Sequence, residues 1–357
     1  MTPASHGASR WEATRPVLTA LAIGTVGGIL FRELRLPLPW MMGAMVATTV
    51  ASMARLPQAI PAWSRPPTIA VLGVLLGSSF TQEMVARMPD WLPSLATLPL
   101  YILTIGGLAL VYLRQVGRLD PLSAFFCATP GGLGEMAILG DRAGGDLRTI
   151  SLVHATRILL IVLTVPLTFR LLGYLPPGLS TAPPAGVEAL DLLILAVCGV
   201  AGLYGGQLLR LPAPGLLGPM VLSAAAHLAG LVEGGPPPWL VAAAQVVIGA
   251  TIGCRFEGFP PVRVLWMMLV GFGLTVLMLS VTLIFGVGLQ AITGMPLPLV
   301  VLAFVPGGLA EMSLVALTLT DDPAFVATNH IVRIALVVLF ASGLFQLYRR
   351  QLKLPPG

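Results

Sequence analysis

Two stretches of this chain hold the side chains best able to do chemistry, and they are copies of one another. The first reads Pro130-Gly131-Gly132-Leu133-Gly134-Glu135-Met136 and is followed by His154 and Arg157. The second reads Pro306-Gly307-Gly308-Leu309-Ala310-Glu311-Met312 and is followed by His330 and Arg333, each residue 176 positions after its match. Asp146 and Asp322 keep the same register. All of these polar groups lie among apolar runs, where an ionised side chain costs about 2.5 to 3.5 kcal/mol by insertion scales.

Their types suggest specific roles. Pro-Gly-Gly cannot continue a regular helix, because Pro removes a backbone donor and paired Gly admits unusual dihedrals. In lipid, broken backbone is tolerated only where protein or a watery cavity surrounds it. A half-helix starting after the break would point its amides, with a partial positive charge, into that cavity. Gly131, Gly132, Gly134, Gly307 and Gly308 are therefore expected to shape a substrate site, with the second copy facing the first. Glu135 and Glu311 are expected to couple protons or cations, or to pair with the arginine of their own repeat. His154 and Arg157 are three residues apart, as are His330 and Arg333, so each pair shares one helix face. Arg157 and Arg333 suit a carboxylate, and His154 and His330 suit proton handling; the plainer reading is a core pair that holds the break in place. Asp146 and Asp322 read as N-caps, and His227, which has no match, reads as local structure.

The elements that position these residues follow from composition. Of 357 residues, 56% are apolar and 10% charged, outside the range of a soluble domain. The chain reads as an all-α polytopic membrane protein of the cell inner membrane, its first helix retained as a targeting signal. Net charge is +5, but the arginines lie in short loops, where they report orientation and not a nucleic-acid partner. Cys127, Cys198 and Cys254 stand apart and read as packing residues, so neither metal nor cofactor is expected. No catalytic motif is present, which argues against an enzyme.

Apolar segments fall at about 17–31, 38–54, 67–81, 92–113, 120–140 and 147–172, then at about 188–209, 214–231, 237–254, 264–290, 296–319 and 324–348. This gives a polar tail (1–16), repeat 1 (17–172), a linker (173–187), repeat 2 (188–348) and a basic tail (349–357). The halves also match at Leu36 to Gly43 with Leu211 to Gly218, and at Leu72 to Gly77 with Ile248 to Gly253. Duplication on this scale is typical of transporters. Several segments are shorter than the roughly 20 residues of a straight span, so some should be tilted or broken. If every segment crosses, the inner loops carry ten Lys/Arg and the outer eight; if each Pro-Gly-Gly segment enters and returns on one side, the split is fourteen to four. The second arrangement obeys the positive-inside rule, and it makes two inverted repeats of about five crossing helices, each with a re-entrant hairpin. Trp40, Trp63, Trp91, Trp239 and Trp266 read as interface anchors.

On the twin Pro-Gly-Gly-Leu-(Gly/Ala)-Glu-Met stretches with their His-x-x-Arg partners, the chain resembles the bacterial AbrB family, duplicated integral membrane proteins labelled regulators or ammonia monooxygenases. Gly131-Gly132-Leu133-Gly134 is also similar to the Gly-Gly-x-Gly of re-entrant loops in citrate and glutamate sodium symporters, with Ala310 departing in the second copy. The expectation is a secondary active transporter of a small organic anion or amino acid, proton- or sodium-coupled, working as a homo-oligomer in the lipid bilayer. The alternative is a membrane-embedded regulator that binds a ligand without moving it. A channel fits less well, since no ring of charges is visible.

Overall fold

The computed structural model describes residues 10–174, 188–320 and 322–351, and among them every regular element is a helix. In the first half these are α1 (Arg10–Glu33), α2 (Pro39–Met53), α3 (Arg65–Gly77), the short α4 (Gln82–Ala86), α5 (Leu92–Gln115), α6 (Pro121–Ala128), α7 (Leu133–Arg142) and α8 (Leu147–Leu171). The second half has α9 (Ala189–Leu208), α10 (Pro214–Leu228), α11 (Pro238–Gly253), α12 (Pro261–Thr293), α13 (Leu297–Phe304), α14 (Leu309–Leu319) and α15 (Pro323–Gln351). Seven of the described helices are long and apolar enough to cross a membrane, which makes the chain an all-α, multi-pass membrane protein. The linker expected at 173–187 falls almost wholly outside the described residues.

The halves exchange helices. The second-half counterpart of α3 is α11, and it packs on α1 and α2; α3 in turn packs on α9 and α10. Glycines set both crossings. A Cβ on Gly43 would come within 2.5 Å of the Gly27 carbonyl carbon, and one on Gly218 within 2.8 Å of that of Gly202, at matched positions. Gly73 on α3 abuts the Leu216 carbonyl oxygen at 2.5 Å by the same construction, while its match Gly249 lies over Met41 and Met45 of α2. Without side chains in the way the backbones approach to van der Waals contact, which is what holds helices together where lipid removes the hydrophobic drive. The match extends to dihedrals: Leu38 and Ala213 are both left-handed, at φ 44° and 48°, just before the first prolines of α2 and α10. We expect Gly218→Val to force α9 and α10 apart at a cost of about 1 to 3 kcal/mol, read as a lower melting temperature in detergent.

The second group of helices surrounds the two broken stretches. Tyr101 of α5 hydrogen bonds Thr282 of α12 at 2.9 Å, and Tyr112 donates to the Val270 carbonyl at 3.0 Å. Rising numbers on α5 meet falling numbers on α12, so these two helices run antiparallel. The segments 120–140 and 296–319, expected as single apolar runs, are each two half-helices joined by an extended break. After its break α7 doubles back beside α6: Gly140 lies against Phe126, and the Asp146 amide donates to the Ser123 hydroxyl at 2.8 Å. Asp146 also lies 3.8 Å from Arg263, at the start of α12. Its counterpart Asp322 instead accepts from the Phe325 amide, and the Phe325 ring packs against Trp91, next to the start of α5. The open ends of the two broken pairs therefore sit at opposite ends of the α5 and α12 couple.

Trp91 corrects one expectation. It is only 3% exposed, edge-on to Phe325 with ring centroids 5.8 Å apart, and so belongs to the core, while Trp63 and Trp239 are exposed. His227 is local structure, its ring nitrogens meeting the Ser223 and Gly234 carbonyls at 2.7 and 3.0 Å.

Candidate functional site

Each broken pair is built by its own motif. Gly132 is the N-cap of α7 and Glu135 its third residue, as Gly308 and Glu311 are for α14. Both carboxylates fold back over the second glycine: a Cβ there would lie 2.9 Å from Glu135 Cδ or 2.7 Å from Glu311 Cδ, and closer still to an oxygen. A carboxylate at this position of a helix start complements the exposed amides and their partial positive charge. The first glycine makes room for methionine, since a Cβ on Gly131 would meet Met136 at 2.9 Å and one on Gly307 would meet Met312 Sδ at 2.7 Å. Gly134 has no neighbour within 4 Å of such a Cβ, which is why Ala310 is accommodated at the matched position. The spacing Gly-Gly-Leu-x-Glu-Met is thus a steric specification for a break closed by its own acid.

The helices that follow hold the breaks from behind. Asp146 caps α8, accepting from the Arg148 amide at 3.1 Å, and Asp322 accepts from the Phe325 amide at 2.9 Å. The Thr149 hydroxyl, more than any other neighbour, keeps the Asp146 carboxyl below its usual range, whereas burial pushes that of Asp322 up. Seven residues into each helix, the histidine Nε2 meets a carbonyl of the entering half-helix at 3.0 Å, Phe126 for His154 and Leu302 for His330.

The arginines then diverge. Arg333 donates to the carbonyls of Phe304 at 3.1 Å, Val305 at 2.9 Å and Gly307 at 3.2 Å, satisfying backbone that the break orphans. It also donates to His330 Nδ1 at 2.8 Å, which places that ring's proton on Nε2 and occupies both its nitrogens. Arg157 makes no hydrogen bond or ion pair among the described residues, though it is only 2% exposed; its Nε and Nη1 are buried without partners, as is Nδ1 of His154. Neither glutamate forms an ion pair with either arginine. The pairing of Glu with the Arg of its own repeat is thus not made in this conformation.

One cavity of about 640 Å³ collects these groups, with Gly131 to Glu135, Gly307 to Glu311, Arg157 and Arg333 all in its wall. Glu135 is half-buried there and Glu311 buried. Every predicted glycine, glutamate and arginine lines it; His154 and His330 stand behind, in contact with the half-helices and not with the cavity. Gln58, Arg65, Gln207, Arg255 and Glu257 also line it and were not singled out from the sequence. They sit at helix ends brought together only by the exchange of α3 and α11, and carry no motif of their own.

The sequence has counterparts in known proteins. Residues 40–349 match the family described as Transition state regulatory protein AbrB. The chain belongs to the AbrB family. It is 26% identical over 358 residues to "Uncharacterized protein YhjN" of Bacillus subtilis (strain 168), covering 92% of this chain and 91% of that one. It is likewise 26% identical over 324 residues to "Putative regulator AbrB" of Escherichia coli (strain K12), covering 87% and 89%. The family match includes both Pro-Gly-Gly stretches and both arginines, so the paired breaks lie within what the AbrB family shares in length.

Proposed function

We propose that this AbrB-family protein is a secondary active transporter of a small organic anion or amino acid, coupled to protons or sodium, acting as a homodimer in the inner membrane. The observation that carries this reading is the meeting of two matched broken helices in one cavity, each bringing an acid to its wall and backed by a helix that brings a buried arginine. Discontinuous helices facing each other near the middle of a duplicated bundle are how transporters combine a polar site with a lipid exterior. The antiparallel α5 and α12, and the open ends of the broken pairs at opposite ends of that couple, support inverted repeats with re-entrant hairpins entering from opposite faces.

The cavity reaches Arg65 and Arg255, which the charge count of the loops assigns to the cytoplasmic side, so this conformation is inward-facing. Transport would proceed by the hairpins and their backing helices α8 and α15 moving against the glycine-packed scaffold of α1–α3 and α9–α11. Glu135, half-buried in the cavity wall, is the acid placed to exchange a proton or cation with it; Glu311 is its more enclosed counterpart.

The name of the Escherichia coli relative favours a second reading, a regulator that binds a ligand without moving it. Solute counterflow in proteoliposomes separates the two. A transporter loaded with a ligand exchanges it across the bilayer, and Glu135→Gln alters the dependence on proton or sodium gradient; a regulator binds and exchanges nothing.

A further inference from the structure

Four arginines and three glutamates line the cavity: Arg65, Arg157, Arg255 and Arg333 against Glu135, Glu257 and Glu311. Their formal charges leave one positive charge in excess. Most of the seven are already committed. Glu135 and Glu311 fold back over Gly132 and Gly308 at their own helix starts, where their negative charge disfavours a second anion. Arg333 commits both of its Nη groups to three backbone carbonyls and His330, leaving only its buried Nε without a partner. Arg65, Arg255 and Glu257 stand at the mouth, partly or fully exposed, where water and salt screen them. What remains deep in the cavity is Arg157, with two buried donor nitrogens and no acceptor.

A buried guanidinium without a partner is costly, and proteins keep one where a ligand supplies the missing acceptor. Apolar residues also line the cavity: Ile158 and its match Ile334, each next in sequence to an arginine, with Leu216 and Ile248. We propose that the site takes a monocarboxylate with an apolar remainder, its carboxylate held by the Arg157 guanidinium, while Arg333 is a structural clamp and not a ligand. One uncommitted guanidinium and one excess charge match one carboxylate, and a second carboxylate at that depth would lie near Glu135 and Glu311. Sequence symmetry therefore conceals an asymmetric site. This rests on the reading of the cavity as a substrate site, not on translocation.

The test is binding to purified full-length protein, by thermal shift and calorimetry, with butyrate and benzoate as probes against butyramide and benzamide, and with succinate as the dicarboxylate. Butyrate or benzoate should raise the melting temperature of the wild type saturably, the amides should not, and succinate should bind at least tenfold more weakly. Arg157→Gln should abolish the shift and Arg157→Lys, which keeps the charge but loses the planar guanidinium, should weaken binding roughly tenfold. Equal response to acid and amide, no response to either acid, or an unchanged response in Arg157→Gln overturns the proposal; the wild-type acid and amide comparison decides it even if that variant does not fold. Carboxylate binding without counterflow would sink the transport reading and leave this one standing, whereas exchange of a cation or neutral solute without carboxylate binding would do the reverse.

Discussion

Arg333→Gln is expected to cost about 3 to 5 kcal/mol of stability, enough to empty the folded fraction in detergent, while Arg157→Gln leaves a protein at least as stable as the wild type. The two arginines occupy matched positions in matched motifs, so sequence alone predicts equal effects. The environments differ. Removing the Arg333 guanidinium orphans the carbonyls of Phe304, Val305 and Gly307 together with His330 Nδ1, and each buried acceptor left unsatisfied costs about 1 to 3 kcal/mol. Glutamine is too short and too poor in donors to serve all four. Arg157 has no partner to lose; its replacement by a neutral group relieves a buried, uncompensated charge. A residue whose removal stabilises the resting protein is one kept for function at the expense of stability. Melting curves of both variants in one detergent check this: similar losses for the two would mean that Arg157 has a partner in the folded state after all.

Gly132→Ala is expected to lower activity at least tenfold, while Gly134→Ala, two residues on, is expected to be neutral. A methyl on Gly132 would be driven into the Glu135 carboxylate, which then must leave the start of α7, exposing the amides and removing the acid from its place in the cavity. At Gly134 the same methyl meets open space, and the second copy already carries it as Ala310. Gly308→Ala should behave as Gly132→Ala does, because its Cβ would meet Glu311 in the same way. Ligand binding and counterflow measured on the three variants give the comparison. If Gly132→Ala and Gly134→Ala behave alike, the fold-back of the glutamate is not what the second glycine serves.

Much of this was legible in the sequence because it is local or periodic. The 176-residue register, the breaks at Pro130 and Pro306, the caps at Asp146 and Asp322 and the local role of His227 all follow from residue type and spacing. That the two motifs share one cavity follows from the duplication. Other features are tertiary and left no mark on the sequence. The exchange of α3 and α11 between halves depends on which glycines meet, and glycines occur throughout the chain. That Glu135 and Glu311 fold back over Gly132 and Gly308 is set by a rotamer and not by spacing. Trp91 sits at a helix end, as an interface anchor would, but edge-on packing against the Phe325 ring draws it inward. The split between Arg157 and Arg333 is the clearest instance, since identical motifs predict identical roles and only the surrounding carbonyls tell them apart.

If the cavity between the two breaks is reached alternately from each side of the membrane, the accessibility of a single thiol will show it without knowledge of the substrate. Gly134 is the place for that thiol, because it lines the cavity and has room for a side chain. The protein would carry Gly134→Cys, with Cys127, Cys198 and Cys254 replaced by alanine, in right-side-out and inside-out vesicles treated with a membrane-impermeant maleimide. Labelling from both sides is predicted, faster from the side of Arg65 and Arg255, with the ratio shifting when a bound ligand is added. Labelling from one side alone under every condition would contradict alternating access and return the protein to the regulator reading.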